Sequence, residues 1–123
     1  MKKLFILMSI FSTLFGCCKK SATTYPQDIV TAADGSQITI TFYAHASFGI
    51  AWNDLQLYID PVGEFDWDNQ PKADAILVTH SHYDHFDMAA IELLQTPETR
   101  ILLDKTSAEG FQGDCFTMLP GAV

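Results

Sequence analysis

The chain has 123 residues, enough for one domain and too few for two. Hydrophobic residues make up 48% of it, which excludes a disordered chain. The 15 acidic and 7 basic residues give a formal charge of −8. That balance disfavours nucleic acid as a partner, because phosphate binding needs basic groups that release counterions.

The N-terminus reads as a lipoprotein-type signal over residues 1–16. Lys2 and Lys3 precede an apolar run, Leu4 to Phe15, broken only by Ser9, Ser12 and Thr13. The run is shorter than the ~20 residues of a membrane span and suits a secretory signal. Leu14-Phe15-Gly16-Cys17 resembles the bacterial lipobox, although Phe15 is bulkier than that pattern prefers. The expectation is an exported protein lipidated on Cys17 and held at a bacterial membrane, on its periplasmic or cell-surface side; the alternative is an ordinary cleaved signal. Residues 17–35, polar around Ser21, Thr23, Thr24, Pro26 and Gln27, read as a tether. Cys18 and Cys115 could pair, but Cys115, beside Phe116, Met118 and Leu119, reads better as a small buried hydrophobe.

The domain is expected over residues 36–123. Gln37 to Phe42 alternates polar and apolar residues, which predicts a half-buried strand. Phe48–Trp52 and Leu55–Ile59 read as two more strands about an Asn53-Asp54 hairpin turn. Pro61 ends the second of them, because proline cannot donate to a sheet ladder. Residues 62–74 form a long acidic loop of the kind that is often functional. Ala75-Ile76-Leu77-Val78 lacks alternation and predicts a strand buried on both faces. Asp87 reads as the N-cap of a helix through Gln95, with Met88, Ile91 and Leu94 on its apolar face. A strand over residues 99–103, a helical turn over residues 106–109 and a last strand over residues 115–119 complete an α/β layered domain.

The chemistry concentrates in Thr79-His80-Ser81-His82-Tyr83-Asp84-His85, which holds three of the four histidines. On an extended segment leaving a strand, His80 and His82 face one point. Asp84 and His85 follow as the chain turns, and can serve a second point nearby. Neutral imidazole and carboxylate suit zinc, and also manganese or iron. Asp84 is the candidate catalytic residue, able to bind metal and to orient or deprotonate a nucleophile.

This stretch matches the H-x-H-x-D-H signature of the metallo-β-lactamase superfamily. The preceding strands and Tyr58-Ile59-Asp60-Pro61 look like that family's first half. His45-Ala46-Ser47-Phe48 is similar to its ascorbate-phosphate-lactonase-like and phospholipase-D-like branch. The resemblance implies a four-layer αβ/βα sandwich with two divalent metal ions, zinc foremost, at one edge. His80 and His82 would bind the first ion, and Asp84 and His85 the second. Asp60 would orient a ligand from behind, and His45 would line the substrate mouth. The implied activity is hydrolysis of an ester, lactone or phosphodiester bond in a small-molecule or lipid-like substrate by a metal-activated hydroxide. In that family the second half supplies further ligands, whereas no histidine follows His85 here. The expectation is therefore the first β-α half of the sandwich. The alternative is a truncated, catalytically incomplete half-domain that at most binds metal. The oligomeric state is left open by the sequence.

Overall fold

The computed structural model describes residues 24–63 and 65–121; the signal-like segment, Cys17 and Cys18 lie outside the described residues. One sheet carries seven strands in chain order. These are β1 (Gln27–Thr31), β2 (Gln37–Ala44), β3 (Ser47–Trp52), β4 (Leu55–Ile59), β5 (Ala75–Val78), β6 (Arg100–Asp104) and β7 (Phe116–Met118). Strands β1 to β4 pair antiparallel as a meander, and β4 to β7 pair parallel. The expected Asn53-Asp54 hairpin is present, with Asn53 at φ 50°. Helix α1 (Met88–Leu94) joins β5 to β6, and α2 (Lys105–Gly110) joins β6 to β7.

Three expectations are corrected. The tether over residues 17–35 contains β1, which pairs with β2 from Gln27↔Thr41 to Thr31↔Gln37. Its β-branched run Ile29-Val30-Thr31 suits pairing, and the Gln27 side chain donates to Thr41 Oγ1 at 2.8 Å. The acidic loop after β4 is largely architectural. It crosses to the parallel strand β5 through a short 3₁₀ helix (Trp67–Asn69) and contributes buried Val62, Trp67 and Ala73 to the interior. Trp67 Nε1 donates to the Gly63 carbonyl at 3.0 Å, which lets the indole be buried without an orphan donor. Strand β5 is not buried on both faces: Ile76 and Val78 are fully buried, while Ala75 and Leu77 are half-buried.

The core lies on one face of the sheet. Ile76, Val78, Ile101 and Leu103 cluster with Ala90, Ile91 and Leu94 of α1, and with Tyr58 and Trp67. Tyr58 donates its hydroxyl to the Pro71 carbonyl at 2.8 Å, and burial pushes its phenol well above the ordinary range. Cys115 is half-buried and packs against this cluster, as a small hydrophobe should. Gly49 on β3 has no room to spare: a Cβ there would lie 3.3 Å from Tyr58 and 3.4 Å from Tyr43.

Caps fix both helices. Asp87 Oδ1 accepts from the backbone N–H groups of Ala89 and Ala90 at 2.9 and 3.4 Å. Its other oxygen accepts from Gly63 N at 3.0 Å, tying α1 to the loop. Asp104 caps α2, accepting from the Ser107 hydroxyl and from the Thr106 and Ser107 backbone. The Ser107 hydroxyl leads in holding the Asp104 carboxyl below its ordinary value. Partial desolvation opposes it, and the two backbone bonds and the nearby His80 add to it.

Strand direction decides where the site falls. Strand β3 runs opposite to β2 and β4, so the β2–β3 turn sits at the same sheet edge as the C-terminal ends of β4, β5 and β6. His45, Asp60, the segment from Thr79 to His85, and Asp104 all project from that edge. Ligands bind at this edge in open α/β sheets generally.

Asp87→Ala should lower stability by about 1–2 kcal/mol through the lost cap, and Ile91→Ala by about 2–5 kcal/mol through an internal cavity, both read from urea unfolding. The Asp104 carboxyl titrates lower in the fold than its unfolded value of ~3.9, so its contribution is complete above that pH and is lost as pH falls through the folded value. The stability gap between the natural protein and Asp104→Asn should accordingly be open at neutral pH and close in strong acid.

Candidate metal centre

Asp60 ends β4 in a left-handed conformation, φ 44°, and is 2% exposed. Its carbonyl accepts from the buried Ser47 hydroxyl at 2.6 Å. Its carboxylate takes three donors: Thr79 N at 2.7 Å, Thr79 Oγ1 at 2.7 Å and His85 Nδ1 at 2.8 Å. Among the described residues no buried side-chain polar atom lacks a partner. This network assigns the histidine tautomers. His85 donates from Nδ1, which leaves the lone pair of Nε2 facing the cluster. The Thr79 hydroxyl has one proton, and Asp60 receives it. Thr79 Oγ1 therefore accepts from His80 Nδ1, 3.0 Å away, which leaves His80 Nε2 open as well. A carboxylate behind a histidine is the usual support of a metal-bound imidazole, because it fixes the ring and raises its basicity.

The open nitrogens meet other donors. His80 Nε2 lies 3.2 Å from His82 Nδ1. Two nitrogens bound to one tetrahedral ion at about 2.0–2.1 Å stand about 3.3 Å apart, so this spacing fits a shared ion. His85 Nε2 lies 3.8 Å from Asp84 Oδ2, and His45 Nε2 lies 3.1 Å from the same oxygen. One ligand atom each from His45, Asp84 and His85 falls within 4.8 Å of the others. The rings of His80 and His85 are 3.9 Å apart between centroids, so all four imidazoles form one cluster. Desolvation pushes the Asp84 carboxyl up, but a backbone hydrogen bond and the imidazoles of His85, His45 and His82 outweigh it and hold the group below its ordinary value. Asp84 is thus an anion at neutral pH. The chemistry and spacing of these donors fit a divalent metal.

Every site residue expected within the described region, namely His45, Asp60, His80, His82, Asp84 and His85, reaches this edge. The route differs from the expectation for His80 and His82. Past His80 the chain bends at Ser81 and His82, and the His82 carbonyl then closes a turn by accepting from His85 N and Phe86 N, each at 2.9 Å, which returns the His85 ring to His80. His45 both lines the cavity beside the cluster and stands 3.1 Å from Asp84 Oδ2. Thr79 and Ser47 were missed. The parallel pairing Ile59↔Leu77 places the residues following β4 and β5 side by side, which is the signal that could have found Thr79. Ser47 showed no signal beyond its place near the turn.

A cavity of about 700 Å³ opens beside the cluster. His45, Asp60, Thr79 and His85 line one side, and Phe42, Ala44, Ala46, Phe48 and Ile59 make the remainder largely apolar.

The profile of the beta-lactamase superfamily domain matches residues 39–115, which span the strands and the whole cluster. The chain is a member of the metallo-β-lactamase superfamily. A crystal structure from Parabacteroides distasonis, provisionally assigned as a metal-dependent hydrolase, superposes with a TM-score of 0.73 at 32% identity, covering 77% of this chain and 43% of that one. A UPF0173 protein of Pyrococcus abyssi is 43% identical over 47 residues, 38% of this chain and 22% of its own length. The cytidine monophosphate-N-acetylneuraminic acid hydroxylase of Asterias rubens is 31% identical over 93 residues, 61% of this chain and 14% of its own length. The chain thus spans under half the length of each relative. Its fold is that of the superfamily domain, and membership of the superfamily implies a divalent metal.

Asp60→Asn removes the carboxylate that selects the His85 tautomer. Metal affinity should fall by about 10–100-fold, measured by competition with a chromophoric chelator. Thr79→Val should weaken it in the same direction, through the ring of His80.

Proposed function

We propose that this protein is a metal-dependent hydrolase of an ester, lactone or phosphodiester bond, using two divalent ions, with zinc ahead of manganese and iron. The observation that carries the reading is the Asp60–Thr79 network, which leaves His80 Nε2 and His85 Nε2 open and beside further donors. His80 and His82 would hold one ion, and Asp84 and His85 the other. Such ions, when bound, polarise the scissile group and activate water for attack. Asp84, ionised and 36% exposed at its side chain, can face the ion through Oδ2 and orient or deprotonate the nucleophile through its other oxygen. Asp60 and Thr79 hold the rings in place.

The largely apolar cavity beside the cluster supports a small-molecule or lipid-like substrate whose apolar part packs on Phe42, Phe48 and Ile59. The sheet carries α1 on one face, while Leu77 and Leu102 on the other are only half-buried. We read it as the first half of a four-layer αβ/βα sandwich, a reading supported by the 43% coverage of the P. distasonis structure. Lipidation at Cys17 would place the enzyme at a bacterial membrane surface. Among the described residues no helix is long and apolar enough to cross a membrane.

Metal analysis of the full chain should find close to two equivalents after zinc or manganese loading, with one lost in His82→Ala. The loaded protein should hydrolyse a p-nitrophenyl ester, a simple lactone or a bis-p-nitrophenyl phosphodiester, and the substrate preferred among the three would fix the bond type. Protein that takes up no metal would defeat the reading. Cys17→Ser should move the protein from the membrane to the soluble fraction; continued attachment would count against lipidation.

A further inference from the structure

We infer that His45 is a direct ligand of the second metal position, completing a three-donor set with Asp84 and His85. This rests on the metal-dependent reading above and deepens it, since that reading gave this position only two ligands and left His45 at the substrate mouth.

Four observations converge. One ligand atom from each of the three residues lies within 4.8 Å of the others, with His45 Nε2 and Asp84 Oδ2 3.1 Å apart. Two nitrogen or oxygen donors on one tetrahedral ion stand about 3.3 Å apart. The rings of His45 and His85 meet at 71° with centroids 5.3 Å apart, edge to face and not stacked, and the Nε2 atoms lie 3.1 and 3.8 Å from Asp84 Oδ2. The third observation is conformational. His45 sits at φ 46° in the two-residue turn His45-Ala46 between β2 and β3. Glycine or asparagine would occupy that conformation with less strain. Strained backbone at a donor residue is a recurrent property of functional sites. The fourth is the aim of the turn. The register of β2 on β3 shifts between Phe42 and Ala44, an irregularity of the kind that redirects a side chain. Ser47, at the far side of the turn, is bonded to the carbonyl of Asp60, the residue that also holds His85. The hairpin tip is therefore built onto the same support as the other ligands.

A simple ion pair between His45 and Asp84 is the competing account, and it makes a different prediction. Asparagine tolerates the left-handed turn and can still donate to Asp84, but it is a poor ligand for zinc or cobalt. Glycine fits the turn and leaves a space that free imidazole can fill.

The test uses the full chain loaded with Co²⁺, followed by visible absorption and chelator competition, with far-UV circular dichroism to establish folding. The natural protein should bind two equivalents. His45→Asn and His45→Gly should each keep one and bind the second about 100-fold more weakly, or worse, with loss of part of the visible cobalt band. Added imidazole should restore that band in His45→Gly and leave His45→Asn unchanged. If His45→Asn binds both equivalents with natural affinity, His45 is no ligand, and this inference alone falls. If the natural protein binds no metal, the inference and the hydrolase reading fall together.

Discussion

The site depends on one buried carboxylate. Asp60 is closed off from solvent and receives three hydrogen-bond donors, two from Thr79 and one from His85. Its hold extends one step further, since the Thr79 proton goes to Asp60 and the Thr79 lone pair is left for His80. One side chain thus sets the tautomers of two imidazoles on a loop without regular secondary structure. Removing a partner from a buried, fully bonded group is destabilising out of proportion to a single hydrogen bond, because the others lose their acceptor. The loop from Thr79 to His85 consequently has a defined shape despite its exposure, Tyr83 being 91% exposed at its tip.

The sheet explains how distant stretches of chain arrive at one place. A meander delivers the β2–β3 turn and the end of β4 to the same edge, and the parallel strands that follow add the ends of β5 and β6. The core lies on the face beneath α1, away from the ligands, so Ile76, Val78 and Leu103 stabilise the platform without occupying the site. Asp87 links the two regions, capping α1 and holding the loop at Gly63 that leads away from Asp60. Packing, capping and chemistry are thereby coupled through the hydrogen bonds of one side chain.

Much of this was legible in the sequence because local patterns there agree with the final fold. Alternation marked β2, the Asn53-Asp54 pair marked a hairpin, and Asp87 marked a helix start; each rule acts over a few residues. The motif from His80 to His85 was legible because its residue types have few uses other than binding metal. What stayed hidden depends on contacts across the chain. β1 was read as a tether because a short polar strand is recognised only by its partner, β2. The loop holding Trp67 was read as functional because burial of an indole depends on the space between β4 and α1, which no local pattern reports. The burial of β5 was overestimated because four apolar residues do not reveal whether both sheet faces are covered. The ring pairing of His80 and His82 was anticipated, but on the assumption of an extended chain, whereas the chain bends at Ser81 and His82 and then turns to bring His85 back.

His45 and Asp60, at φ 46° and 44°, hold a conformation that L-residues with a Cβ adopt at a penalty. At His45 glycine or asparagine would relieve that strain, whereas at Asp60 either would deprive buried donors of their acceptor. A screen that rewarded folding alone would therefore rewrite His45 early and keep Asp60, and would yield a sturdier protein stripped of its histidine turn. Stabilised versions of this protein should be sought by changes on the α1 face of the sheet, leaving the His45 turn and the Asp60 network untouched.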